Sequence, residues 1–333
     1  MEGCRSATNG PIVHLEFAKR GNVTIASEPA STASLAPATR GASIWAAIKE
    51  FLTYGANSDP NAPHSWFYRH RLLVRITHWL NAIILTAMLM SGLQIFNAHS
   101  ALYWGSGSDF DHPILSLTAM QAPDGSIKGV TQIGSWHFDT TGVLGASKMD
   151  GQMQVRGFPW WATIPSPQWL AMGRLWHFFF AWLFVTNGAI FALWAFACGH
   201  FRRDLAPKTS DFANLPGEIA HHAKLQFPKG EAAKSYNGIQ RLTYFTVIFI
   251  LGPLVVLTGL SMSPTIDAAF PFLPWMFFGR QSARTIHFIC AFSFLAFFIV
   301  HIVMVILSGT WNNIRSMITG RYEIEEAPGG EHG

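Results

Sequence analysis

The sequence predicts an all-α integral membrane fold: four transmembrane helices in one bundle, with a long extramembrane loop between the first two. Three observations carry that expectation. Of 333 residues, 50% are hydrophobic and 13% are charged, about half the charged fraction of an ordinary soluble domain. Four apolar runs, at about residues 74–96, 175–198, 242–262 and 284–308, are each long enough to cross a ~30 Å hydrocarbon core as a helix. Lys and Arg gather at some ends of those runs and avoid others, as expected when positive charge directs insertion.

Residues 1–60 are polar and rich in Ala, Ser, Thr, Gly and Pro, and they read as a disordered or surface-associated segment. No apolar core follows a charged start, so no cleavable signal peptide is expected. Ser43–Tyr54, SIWAAIKEFLTY, has the pattern of a short amphipathic helix lying on a membrane surface. The membrane domain covers about 65–320, leaving 321–333 as a tail.

The first span, VRITHWLNAIILTAMLMSGLQIF, follows the basic cluster Arg69, His70, Arg71 and Arg75. The second, LWHFFFAWLFVTNGAIFALWAFAC, is followed by Arg202 and Arg203. The third, LTYFTVIFILGPLVVLTGLSM, has no histidine and is predicted to kink at Pro253. The fourth, RTIHFICAFSFLAFFIVHIVMVILS, carries no charged side chain after Arg284.

The connections orient the bundle. The loop at 98–173 holds only Lys128, Lys148 and Arg156 as basic residues, against five aspartates. The 199–241 connection carries Arg202, Arg203, Lys208, Lys224, Lys229, Lys234 and Arg241. Positive charge stays inside, so both termini and the 199–241 loop are expected in the cytoplasm, with the long loop outside. Those flanking charges also account for the net charge of +4 without invoking nucleic acid. Cys4, Cys198 and Cys290 form no C-x-x-C pair, which excludes covalent c-type haem, iron–sulfur clusters and a zinc site.

Ionisable residues inside spans are costly and mark function, and here they are histidines. On the fourth span His287 and His301 are 301 − 287 = 14 residues apart, close to four turns, so they share a face about 21 Å apart along the axis. His78 lies near the inner end of the outward-running first span, and His177 near the outer end of the second. The four therefore pair by depth, His177 with His287 outside and His78 with His301 inside. Such pairs suit bis-imidazole ligation of two non-covalent b haems between facing helices. A packing or proton-path role for each histidine is the competing interpretation, and it does not explain the pairing. Gly92, 92 − 78 = 14 residues beyond His78, and Gly188, 188 − 177 = 11 beyond His177, fall at the opposite level in each helix. There a missing Cβ makes room for a porphyrin, although small residues also serve ordinary helix packing.

R-I-T-H-W-L-N at the start of the first span, the second-span histidine and the 14-residue pair on the fourth resemble the prokaryotic cytochrome b-561 superfamily. More narrowly, they resemble the di-haem cytochrome b subunits of nickel–iron hydrogenase, formate dehydrogenase and thiosulfate reductase. The likeness covers about 65–320. It implies that electrons enter from a periplasmic oxidoreductase, pass the outer then the inner haem, and reduce menaquinone or ubiquinone near the cytoplasmic face. A molybdopterin enzyme ranks above hydrogenase as that partner. Lys234–Arg241, K-S-Y-N-G-I-Q-R, is similar to the K-Y-N-A-G-Q-K run of the formate dehydrogenase subunit, implying quinone-binding roles for Asn237 and Gln240; Ile239 departs from that run. Arg75, Arg174 and Arg284 each stand three residues before a histidine and are expected to pair haem propionates through their two-pronged donors, ahead of Arg71 and Arg241. The competing role for these arginines is contact with lipid headgroups. Two rival classes are a self-contained quinol or superoxide oxidase, and a transporter or sensor without haem.

Overall fold

The computed structural model describes residues 40–55, 64–225 and 234–325. The chain divides into two compact units, Met1–Lys49 and Glu50–Gly333. The first is described only through residues 40–49, the leading part of helix α1 (Arg40–Tyr54). This helix contains the expected amphipathic segment and leaves Ile44, Trp45 and Ile48 exposed. The remaining expectations for residues 1–60 fall outside the described residues, apart from Gly55.

In the second unit, strand β1 (His64–Tyr68) leads into α2 (Leu72–Phe96). Strands β2 (Ala101–Leu102), β3 (Leu115–Gln121), β4 (Ile127–Ile133), β5 (Trp136–Asp139), β6 (Ala146–Met149) and β7 (Gln152–Val155) fill the long connection before α3 (Leu170–Ala197). A π-helical turn (Phe201–Leu205), α4 (Thr209–Ala223), α5 (Gly238–Phe245), a second π-helical stretch (Thr246–Leu251) and α6 (Gly252–Ser261) follow. The chain ends through α7 (Pro264–Ala269), α8 (Phe272–Met276), α9 (Arg280–Leu307), α10 (Thr310–Thr319) and β8 (Arg321–Glu325). Four helical runs are long and apolar enough to cross a membrane: α2, α3, the α5–α6 run Gly238–Ser261, and α9. They match the four expected spans. The break expected at Pro253 takes the form of the π-helical stretch directly before α6, since a proline there removes a hydrogen bond from the preceding turn.

The all-α expectation fails in the long connection. Its strands form an antiparallel four-stranded sheet, β2-β3-β4-β5, and a separate β6–β7 hairpin. The β3–β4 turn is set by Asp124, whose carboxylate accepts from the Ser126 N–H at 2.9 Å and its hydroxyl at 2.6 Å. Leu102 and Leu117 put the inner face of the sheet into one core with Phe96 and Phe158, packed against Leu93, Phe288 and Phe292. The sheet therefore rests on α2 and α9.

Polar clamps complete that seat. The Asn97 side chain accepts from Phe158 N at 2.6 Å and donates to Phe158 O at 3.2 Å. Gln94 donates to Pro167 O at 2.6 Å. Arg156 is only 2% exposed, yet it donates to neutral acceptors: Phe158 O at 2.7 Å, Ser166 O at 3.1 Å and the Thr163 hydroxyl at 3.0 Å. A buried cation needs such saturation to be tolerable.

At the other end of the bundle, β1 pairs antiparallel with β8, from His64 opposite Glu325 to Tyr68 opposite Arg321. The expected tail thus begins as a strand, and its last residues, 326–333, fall outside the described residues. Paired strands lie on one side of a membrane, so the chain between them crosses an even number of times. Glu323 anchors the ribbon, accepting from Arg315 at 2.7 Å and Tyr54 at 3.2 Å. Gly55 and Gly309 cross backbone to backbone. A Cβ on Gly309 would lie 2.6 Å from Thr53 O, and its φ of +100° also favours glycine. α4 docks on α5 through the buried Asp211–Arg241 pair at 3.0 Å. Glu218 caps α5 by accepting from Gly238 N at 3.1 Å and Ile239 N at 2.8 Å.

Removing one partner of a buried ion pair strands the other charge, at a cost of about 3–5 kcal/mol. Asp211→Ala should therefore lower the melting temperature of the detergent-purified protein markedly. Asp211→Leu combined with Arg241→Met should recover much of the loss, and an unchanged melting point in the single variant would show that the pair is idle.

Candidate functional site

Two helix ends carry the same construction near the strand-bearing connection. His177 and His287 each lie seven residues into their helices (177 − 170 = 7; 287 − 280 = 7), and their rings face at 6.1 Å between centroids, inclined 65°. Each ring is backed by the neighbouring helix in the same way. His177 Nδ1 lies 3.1 Å from Met88 O and 3.2 Å from Ser91 Oγ. His287 Nδ1 lies 3.0 Å from Val255 O and 3.1 Å from Thr258 Oγ1. A carbonyl can only accept, so each Nδ1 carries the proton and each Nε2 keeps its lone pair. Gly92 and Gly259 complete the two cradles. A Cβ on either would stand 3.3 Å from Cε1 of His177 or His287 respectively.

The second pair lies towards the end that carries α10 and the β1–β8 ribbon. His78 on α2 faces His301 on α9 at 6.2 Å between centroids, inclined 62°. His301 stacks on Phe297 at 5.7 Å, and His78 meets Trp79 edge-on at 5.3 Å. His78 Nδ1 is buried without a hydrogen-bond partner among the described residues. The fourteen-residue interval on α9 thus delivers both of its imidazoles to partners at two levels.

The spacing of the rings has a chemical meaning. Two imidazoles bound on opposite sides of one metal at about 2 Å, with ring centres about 1 Å further back, stand roughly 6 Å apart. Both pairs meet that distance. Two neutral nitrogens are too few to hold a bare ion, and they suit an iron that arrives with four equatorial donors of its own, as in haem.

The other predicted residues distribute differently. Gly92 backs the His177 ring itself, not open cofactor space, whereas a Cβ on Gly188 would meet nothing within 4 Å. Arg75 donates to Ile318 O through one terminal nitrogen, while its buried Nε has no partner among the described residues. Arg71 likewise keeps one buried terminal nitrogen unpartnered there. Arg284 is engaged by His99 O and lies over the Phe96 ring at 5.3 Å. Arg174 is exposed and packs over Phe178 at 5.6 Å. Burial, with Arg69 beside it, pushes His70 down to about 3, so the positive charge at this end is carried by arginines. Asn237 and Gln240 form a reciprocal capping box on α5: Asn237 Oδ1 accepts from Gln240 N at 2.8 Å, and Gln240 Oε1 from Asn237 N at 3.3 Å. Sequence reasoning missed Ser91, Thr258 and Gly259. The signal was present as Ser91-Gly92-Leu93 and Thr258-Gly259-Leu260, a repeated hydroxyl-Gly-Leu triplet late in the first and third spans.

Residues 152–320 match the family model described as prokaryotic cytochrome b561. The chain belongs to that family. The cytochrome b561 assignment makes it a multi-pass membrane protein that binds b-type haem and transfers electrons. A relative from Azospira oryzae, named a putative protein-methionine-sulfoxide reductase subunit YedZ1, is 32% identical over 146 residues, covering 42% of this chain and 67% of the relative. No solved structure matches the chain.

The capping box and a quinone-binding role at Asn237 make different demands, and one pair of variants separates them. A cap needs the side-chain oxygen, so Asn237→Ala should cost about 1 kcal/mol of stability while Asn237→Asp keeps it. Donation to a quinone carbonyl needs the amide N–H₂, so Asn237→Asp should lose quinone turnover with its melting temperature retained. Normal turnover in that variant would leave Asn237 as a cap alone.

Proposed function

We propose that this cytochrome b561 binds two b haems and moves electrons across the membrane between the quinone pool and an oxidoreductase docked over the β-rich connection. His177 and His287 hold one haem, and His78 and His301 the other. The observation that carries this reading is the pair of facing imidazole couples, both spaced for a single metal and both anchored on α9. Haem held by these residues would supply one-electron chemistry there.

The protein's own groups prepare the sites. Met88 O and Val255 O fix the tautomers of His177 and His287 and so aim each Nε2 inward. Phe297 holds the His301 ring by stacking. The nitrogens of Arg71 and Arg75 left without partners among the described residues suit propionate carboxylates at the end of the β1–β8 ribbon. The basic connections argue that this end is cytoplasmic, and the prokaryotic family supports the bacterial inner membrane as the location. The pairing of β1 with β8 supports one side for both ends of the membrane domain. Quinone is proposed to bind at that cytoplasmic end, near Asn237 and Gln240.

The partner is proposed to sit outside, over the sheet that rests on α2 and α9. The Azospira relative is named as a subunit of a reductase, an enzyme class that consumes electrons. Flow from quinol outward to the partner is therefore proposed, opposite to the direction implied by the dehydrogenase subunits. A molybdopterin oxidoreductase is the first candidate for that partner.

Reduced-minus-oxidised spectra of the purified protein should show two non-covalent b haems per chain, both released by acid–acetone. His177→Ala and His287→Ala should remove one spectral component, and His78→Ala and His301→Ala the other. A stoichiometry of one haem, or loss of the same component from His78→Ala and His287→Ala, would sink the assignment.

A further inference from the structure

The two imidazole pairs differ in one respect that does not concern iron coordination. At the level nearer the β-rich connection, both Nδ1 protons are offered two oxygen acceptors each, Met88 O with Ser91 Oγ and Val255 O with Thr258 Oγ1. The hydroxyls are fixed in that role. Ser91 donates its own proton to Ala87 O at 2.6 Å, and Thr258 to Leu254 O at 2.7 Å, so each presents lone pairs to the ring. Gly92 and Gly259 permit the close approach, since a Cβ at either would already stand 3.3 Å from the imidazole. At the other level His78 Nδ1 is buried without an acceptor, and His301 makes no hydrogen bond among the described residues.

An imidazole that donates its distal N–H to an oxygen becomes a stronger electron donor through its other nitrogen. Stronger donation favours the ferric over the ferrous state and lowers the reduction potential. Both ligands are strengthened at one level and neither has that support at the other. We propose that these cradles hold the haem at His177 and His287 at the lower potential of the two, with Ser91 and Thr258 acting as positioning residues through the histidines. The inference rests on the two-haem reading above and adds to it an order of potentials and the residues that set it. Outward electron flow would then run to the lower-potential site, a step that a membrane potential negative inside assists.

The test is a potentiometric titration of the haem bands of the detergent-purified holoprotein, with each component assigned by its loss in His177→Ala or His301→Ala. The component lost in His177→Ala should titrate lower. Ser91→Ala and Thr258→Val should each raise its midpoint, and the double variant should raise it further. Thr258→Ser, which keeps the hydroxyl, should leave it near the wild-type value, and the other component should not move in any of them. If the double variant fails to retain haem, the two single variants and Thr258→Ser still decide. A wild-type protein in which this component is the higher one, variants with no shift, or equal shifts in both components would overturn the proposal. A protein carrying fewer than two haems would instead overturn the reading beneath it.

Discussion

An ionisable side chain in a membrane span is costly unless other polar groups meet it, and α9 carries two histidines on one face. That requirement shapes the rest of the membrane domain. An unpaired polar group costs several kcal/mol in an apolar medium, so every helix facing α9 must bring something polar to the right depth. α3 brings His177, α2 brings His78, and the backbones of α2 and α6 supply carbonyls to His177 and His287. A carbonyl in mid-helix is already committed to the residue four positions on, yet its second lone pair remains available. Ser91 and Thr258 sit one turn further along and add a second oxygen without breaking the helix that carries them.

The β-rich connection answers the opposite problem. Its backbone is irregular and polar, and it rests directly on the ends of apolar helices. It manages this by placing Leu102, Leu117 and Phe158 in the core shared with the helices and by pairing many of its polar groups within itself. Arg156 is the clearest case, a buried guanidinium spent entirely on carbonyls, a hydroxyl and the Met149 sulfur. It pins Phe158 and Ser166 around one centre and thereby fixes the chain that enters α3.

Much of this was legible in the sequence, and the parts that were not have identifiable causes. The spans follow from long apolar runs, which tolerate little ambiguity, and the histidine pairing follows from one interval of fourteen residues together with chain direction. The strands were hidden because β5, Trp-His-Phe-Asp, is exposed at every position and so shows no buried alternation. Turn signals such as Pro123-Asp124-Gly125 and Asp150-Gly151 did mark the hairpins. Asn237 and Gln240 fit the capping-box pattern as well as any ligand motif, and local helix chemistry claimed their oxygens. Arg284 was expected at a cofactor and lies over Phe96 at the end of α2, with His99 O of the connection as its acceptor, a placement that depends on how helices far apart in sequence pack. The β1–β8 ribbon joins segments from the two ends of the membrane domain, beyond the reach of local pattern.

That ribbon has a consequence for how the protein is made. β8 is the last described element to leave the ribosome, and β1 precedes every membrane crossing. Strand β1 must therefore wait, unpaired, on the side where it was synthesised until the fourth helix has threaded and returned the chain to it. Only a chain with all its crossings in place can close the ribbon, bring Gly309 against the Thr53–Gly55 backbone and seat Glu323 between Tyr54 and Arg315. A chain that stalls after three crossings leaves β8 on the wrong side and β1 as a bare edge. The pairing of the two strands is thus a built-in record of completed insertion.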